Sequence, residues 1–386
     1  MKIFLNAIPA LPKPGMLMPD ELENAILSTE FLICWEETMA PYYPKNGWWG
    51  FVVRSVLRLA DMDGKNKTTA SNVVFQKNAR MVEGMKKSKG LRSVFIDFNR
   101  FNFKTAREQG QMLKILAIFI RVIRGISIAR KRYLQEITTV KYLNTTADNK
   151  FWDSVRSKAD ELGISLIGFA PVDEKLMCTN DHFGHLTRLY HNAIVLAMEM
   201  DYDAVEAIPD IEVGVDGIKT YADLGDATNA LAKFIREQGH GAIACHPLGD
   251  VIVLAAMGVR AGLGTFGRNG LLISKEFGPR QRVSMIATTA APLPPPNKTT
   301  DHFQDIHDFC SKCGKCVRSC PAGAIREKPL RIETYGVMSC VDAPKCIEYF
   351  YEFNSCGICI KACPFHSLGY DRLMRHKEEV PLAAAS

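Results

Sequence analysis

Cys310-Ser-Lys-Cys313-Gly-Lys-Cys316-Val-Arg-Ser-Cys320-Pro321, then Cys346, then Cys356-Gly-Ile-Cys359-Ile-Lys-Ala-Cys363-Pro364, is the stretch that decides how this chain is organised. A cubane iron–sulfur cluster needs four thiolates converging on one centre, and CxxCxxC on a tight loop delivers three. A fourth Cys, three residues on and followed by Pro, points away and ligates the other cluster. The spacing predicts two [4Fe–4S] clusters. One takes Cys310, Cys313, Cys316 and Cys363; the other takes Cys346, Cys356, Cys359 and Cys320. A zinc ribbon or a disulfide framework competes with this reading, but zinc sites need paired CxxC and no CxxxCP in each half. A cluster module over 300–370 and a tail over 371–386 follow.

The 386 residues suffice for two or three domains, and 47% apolar residues support a full core. Of 12 Cys, the clusters use eight. Cys34, Cys178, Cys245 and Cys340 read as buried small apolar residues; Cys340, six before Cys346, is the alternative ligand to keep. Cluster thiolates and spare thiols suit a reducing, cytoplasmic setting. Met1-Lys-Ile-Phe-Leu-Asn-Ala-Ile-Pro-Ala-Leu-Pro has no twin-Arg pair and no apolar export segment, as a processed precursor also would. A net charge of +6 falls short of the dense basic stripe of a nucleic-acid binder.

Residues 1–150 read as mostly helical, with aromatics at Trp35, Tyr42, Tyr43, Trp48 and Trp49. Met112 to Arg132 is a long apolar helix carrying Lys114, Arg121, Arg124, Arg130, Lys131 and Arg132. Lys114, Arg121 and Arg124 share one stripe, and these charges argue against a membrane span. Two readings stay open for 112–132: packing between domains or subunits (a homo-oligomer), and peripheral membrane contact. From 151 to 299 the texture alternates between helix and strand, which indicates a layered α/β domain. Trp152–Leu162 and Tyr221–Gln238 read as helices. Strands are expected at 165–170, 192–198, 241–245 and 283–289, the second of them buried on both faces. Pro292-Leu-Pro-Pro-Pro296 is a stiff linker into the cluster module.

Arg260-Ala-Gly-Leu-Gly-Thr-Phe-Gly-Arg-Asn-Gly270 holds four glycines in nine residues. Gly262, Leu263, Gly264, Gly267, Asn269 and Gly270 are the candidate cofactor cradle, because glycine lets a ligand approach the backbone. A structural turn is the alternative. Gly262-x-Gly264-x-x-Gly267 matches a dinucleotide fingerprint, but Leu271-Leu-Ile-Ser274 reads as a strand where that fingerprint needs a helix.

Ala261-Gly-Leu-Gly264, Gly270-Leu-Leu-Ile273 and Phe277-Gly-Pro-Arg-Gln-Arg282, followed by the two-cluster module, resemble the cobalamin-dependent family of reductive dehalogenases and epoxyqueuosine reductases. The stretch Asp342-Ala-Pro-Lys-Cys346-Ile-Glu-Tyr-Phe is closer to the dehalogenase branch. The resemblance covers about 155–370. It implies a nitroreductase-like α/β core fused to a bacterial-ferredoxin-like module, with a base-off corrinoid between them and its cobalt near one cluster. It further implies that a Tyr just before the long helix protonates the reduced carbon, aided by a basic residue. Tyr221 matches the first and Arg282 the second, with Arg280 as the local alternative. A cation beside a phenol favours phenolate and frees its proton. His246 matches a polar pocket residue, and a structural His before Pro247 is the other reading.

There are departures. Thr289-Ala-Ala-Pro-Leu293 stands where the family commonly has Thr-Asp-Leu-Pro-Leu. The export signal of respiratory dehalogenases and the fused reductase domain of catabolic ones do not appear, which bears on the substrate more than on the cofactors. The expectation is a corrinoid- and iron–sulfur-dependent reductase of a small organic substrate, with an organohalide as the leading candidate, fed by a low-potential donor such as ferredoxin or flavodoxin. The alternatives are an epoxyqueuosine-type tRNA-nucleoside reductase, and an electron carrier without corrinoid. The modest charge argues against the RNA substrate.

Overall fold

The computed structural model describes residues 110–139, 144–173, 176, 190–249, 252–295, 300–332, 337–352 and 356–379. The early aromatics, Cys34 and Cys178 lie outside the described residues, as does most of the helical region expected over 1–150. In chain order the elements of the core are α1 (Met112–Thr139), β1 (Thr145–Thr146), α2 (Asn149–Glu161), β2 (Leu166–Pro171), β3 (Asn192–Glu199), α3 (Tyr202–Glu206), α4 (Ile211–Glu237), β4 (Ala242–Cys245), α5 (Leu254–Arg260), β5 (Thr265–Phe266), β6 (Leu272–Ile273), β7 (Gln281–Thr288) and β8 (Ala290–Ala291).

Four strands form one sheet in the order β2-β3-β7-β4, every neighbouring pair antiparallel. Side chains alternate across a strand, and here both faces are covered. Ile194, Leu196, Ala242, Ala244 and Ile286 point to one side, where α2 and α4 supply Phe151, Trp152, Val155, Leu224 and Leu231. Ala193, Val195, Ala197, Ile243, Cys245, Met285 and Ala287 point to the other, against Met257 of α5, Leu263 and Leu272. The unbroken apolar run of β3 is thus read correctly as doubly buried. The direction differs from the usual one, because such runs belong mostly to parallel sheets. Each fully buried Leu or Ile contributes about 1.5–3 kcal/mol.

The helix α4 begins at Ile211, ten residues before the start expected at Tyr221. Gly214 and Gly217 lower helix propensity in that first part, and burial of Ile211, Val213 and Val215 overrides it. The helix α1 spends its apolar side on this extension: Ile115, Ile118, Phe119, Val122 and Ile126 pack with Ile211, Val215 and Ala222. Arg121 donates to Asp223 and Asp226 on α4, both at 2.8 Å. Helix packing therefore takes up much of the apolar side of α1, while Leu113, Ile120 and Ile128 stay exposed. Among the described residues no helix is long and apolar enough to cross a membrane.

The cluster module adds α6 (Thr300–Cys313), α7 (Lys315–Ser319), the antiparallel pair β9 (Ile325–Ile332) and β10 (Val337–Val341), α8 (Ala343–Glu352), α9 (Ile358–Lys361), α10 (Pro364–Ser367) and α11 (Tyr370–Glu379).

Candidate functional site

Cys310 and Cys313 end α6, Gly314 turns the chain with φ +58°, and Cys316 sits in α7. The backbone then extends at Cys320 (φ −72°, ψ 110°) and at Cys363 (φ −73°, ψ 125°), each just before a proline. That break sends the fourth thiol of each run away from its own loop. Cys363 joins Cys310, Cys313 and Cys316 around one small cavity, closed by Phe309, Ile273 and Phe365. Cys320, Cys346, Cys356 and Cys359 are close enough to repel one another's thiolates. Among the described residues no three His, Cys, Asp or Glu side chains close on one point as they would around a single ion.

Burial pushes the Cys310 thiol up to about 11 and Cys363 to about 12, and it raises Cys316, Cys346, Cys356 and Cys359 as well. Thiols kept protonated by burial must give up those protons to bind iron, so cluster assembly is coupled to proton release. Cys340 is buried, and its charged neighbour is Arg268 rather than another thiol. Cys245 lies in the sheet core.

Side-chain parity brings the other candidates together. Arg282, Ser284 and Ile286 of β7 face α4, as do Ala242, Ala244 and, continuing past the strand, His246. On α4, residues 217, 221 and 225 form one stripe at helical spacing. The Arg282 guanidinium lies over the Tyr221 ring, 4.5 Å from its centroid. Its Nη2 is 3.1 Å from where a Cβ on Gly217 would stand. Its Nε is buried without a hydrogen-bond partner among the described residues. The next turn of the helix carries Thr228, whose hydroxyl is 2.6 Å from that of Ser284. Tyr221 is therefore mid-helix, not at a helix start, and it meets Arg282 because both elements present that face.

His246 is 2% exposed and wedged between α1 and α4, with Nε2 only 2.0 Å from where a Gly225 Cβ would stand and 3.0 Å from that of Gly125. Its Nδ1 accepts from the Leu248 N–H at 3.1 Å, so the proton sits on Nε2. Burial lowers its pKa to about 3, which keeps the ring neutral at physiological pH. Its ring is enclosed by helix backbone, and its Nε2 is buried without a hydrogen-bond partner among the described residues.

In the glycine segment, a Cβ on Gly264 would lie 2.3 Å from the Ile273 carbonyl oxygen, and one on Gly267 2.4 Å from Ile273 Cδ1. Gly262 and Gly270 hold positive φ (+74° and +75°), and Leu263 is core. At Gly264 and Gly267 the missing side chains make room for β6, and at Gly270 for Val341 of β10. Gly264→Val is accordingly expected to destabilise the fold by about 3 kcal/mol, read as a lower melting temperature, instead of removing a cofactor selectively. Asn269, buried, donates to the Cys359 carbonyl at 3.4 Å.

Two features were not foreseen in the sequence: the bridging role of Arg280, which stood there only as the alternative to Arg282, and a cleft. Arg280 is buried and spent on a bridge between the core and the cluster module. It donates to the Met200 carbonyl at 3.1 Å, pairs with Glu199, lies over Tyr202, and contacts His366 Nδ1 at 3.1 Å. His366 reaches Glu206 at 2.7 Å through Nε2 and follows Cys363 by three residues. Of the two arginines, Arg282 is the one that lies over the Tyr221 ring. The second feature is a cleft of about 710 Å³, walled by residues 198–204 and by α4 positions from Ile211 to Asp223. It adjoins Arg282, the cross-strand partner of Met198. Burial holds the Asp216 carboxyl in that wall above the usual range. No local motif marks either feature: Arg280 meets Met200, Glu199 and His366 from 80 to 86 residues away, and the cleft forms only where β3 and α4 pack side by side.

Residues 309–367 match the 4Fe-4S dicluster domain family, so the module is a dicluster domain. The chain is 30% identical over 190 residues to a tetrachloroethene reductive dehalogenase of Desulfitobacterium hafniense, covering 46% of this chain and 33% of that protein. It is 31% identical over 124 residues to an epoxyqueuosine reductase of Lactococcus garvieae (strain Lg2), covering 30% and 32%. Among solved structures it resembles a reductive dehalogenase studied for B12-dependent dehalogenation, with TM-score 0.53, 17% identity and coverage of 68% of this chain and 39% of that one. That likeness shows a shared fold of mixed helices and strands. The chain spans about a third of the length of the curated relatives it matches.

Proposed function

We propose that this chain is an oxidoreductase of the reductive-dehalogenase type, with a nitroreductase-like corrinoid-binding core over 151–299 and two [4Fe–4S] clusters in 300–370. The observation that carries the reading is the Tyr221–Arg282 contact at 4.5 Å, two residues along the chain from Arg280, whose guanidinium reaches the cluster module through His366. A proton donor and an electron-transfer module thus share one strand end. When bound, a corrinoid supplies a cobalt centre able to reduce a carbon–halogen or comparable bond, the hard chemistry that protein side chains lack.

The residues present fit such a group in part. The buried, unpartnered Arg282 Nε and the adjoining 710 Å³ cleft suit a ligand, whereas the glycine segment is filled by its own chain. Tyr221, Arg282 and the cleft walls are then the residues left to meet it. Arg282 holds the Tyr221 ring in place by a cation–π contact worth about 0.5–2 kcal/mol. Tyr221 gives its hydroxyl proton to the electron-rich carbon left after reduction. The substrate class is a small organic molecule, with an organohalide as the leading case, and the electrons come from an external low-potential carrier.

Anaerobic reconstitution with iron, sulfide and cobalamin tests this. Stoichiometric cobalt after gel filtration, with reductive turnover of an organohalide panel, is the expected result. Retention of iron without cobalt would overturn it in favour of an electron carrier; turnover only of an epoxyqueuosine-bearing tRNA stem-loop would favour the other branch.

A further inference from the structure

The turn between β5 and β6 belongs to the core, yet Arg268 on it lines the cavity of Cys310, Cys313, Cys316 and Cys363. Its backbone N–H donates to the Cys310 sulfur. Its Nη2 donates to the Ser311 carbonyl at 2.8 Å, inside the first CxxC. Its Nη1 stands 3.9 Å from where a Gly314 Cβ would be, so the guanidinium lies along the ligand loop. The charge bears on Cys310 and Cys316. The second set differs. Cys320 there accepts the Ala324 N–H at 3.3 Å and Cys356 accepts one backbone N–H, but on Cys346, Cys356 and Cys359 burial and other thiols act, with no cation among the described residues.

We propose that Arg268 raises the reduction potential of the cluster on Cys310, Cys313, Cys316 and Cys363 above that of its neighbour, so that the first electron entering the module comes to rest there. A cubane gains one negative charge on reduction, and nearby cations and N–H···S bonds stabilise the reduced form. The step is a one-electron exchange: the second cluster goes from [4Fe–4S]⁺ to [4Fe–4S]²⁺, the first does the reverse, and no proton or ligand moves. Arg268 acts here as a tuning residue beside the ligands. The inference rests on the two-cluster reading alone and not on the corrinoid or the substrate.

The test is an EPR-monitored dithionite titration of the full chain, reconstituted with iron and sulfide but without cobalamin. Wild type should reduce in two separated one-electron steps. Arg268→Gln should lower the upper step about tenfold in its equilibrium constant, or 59 mV for one electron, with the lower step and the iron content unchanged. Arg268→Lys should keep most of the separation. A single unresolved wave in wild type overturns the proposal, and so does an upper step unmoved in Arg268→Gln. Should that variant fail to load iron, Arg268→Lys decides: retained separation supports the role of the charge, and lost separation in a fully loaded protein sinks it.

Discussion

Tyr221→Phe is expected to slow reductive turnover by about 10²–10⁴-fold, the usual contribution of a positioned general acid. The substitution removes one oxygen and leaves the ring, so the guanidinium of Arg282 keeps its cation–π partner. Iron content, corrinoid retention and melting temperature should then stay where they are in wild type, and the loss should fall on the chemical step. Arg282→Ala should be slower as well, but the double variant should not show the sum of both losses, because the two side chains act as one unit. Full turnover by Tyr221→Phe would assign the proton to water, since His246 is sealed between two helices.

The second large effect concerns the clusters. Cys346→Ser should lower anaerobically reconstituted iron from about eight atoms per chain to about four and abolish electron delivery. Cys340→Ser should leave both measures intact. The structure separates these neighbours: Cys346 lies among Cys320, Cys356 and Cys359, whereas Cys340 is buried on β10 beside Arg268. Equal iron loss in the two variants would mean that the ligand set at this position is wrong.

The presence of two clusters was legible from spacing, because ligand geometry is local. CxxCxxC fixes three thiols on one turn, and a Cys followed by Pro must leave that turn, as the extended backbone at Cys320 and Cys363 shows. Strand and helix periodicity likewise marked β3, β7 and the body of α4. The beginning of α4 was not legible, since its glycines read as a break until α1 buries Ile211 and Val215. Glycine spacing by itself does not say what fills the space beside it, and only the fold shows that Ile273 fills it at Gly264. The same holds for Arg280, His246 and Arg268. Their chemistry is set by partners far along the chain, and strand parity, helix stripes and close backbone approach decide which partners those are.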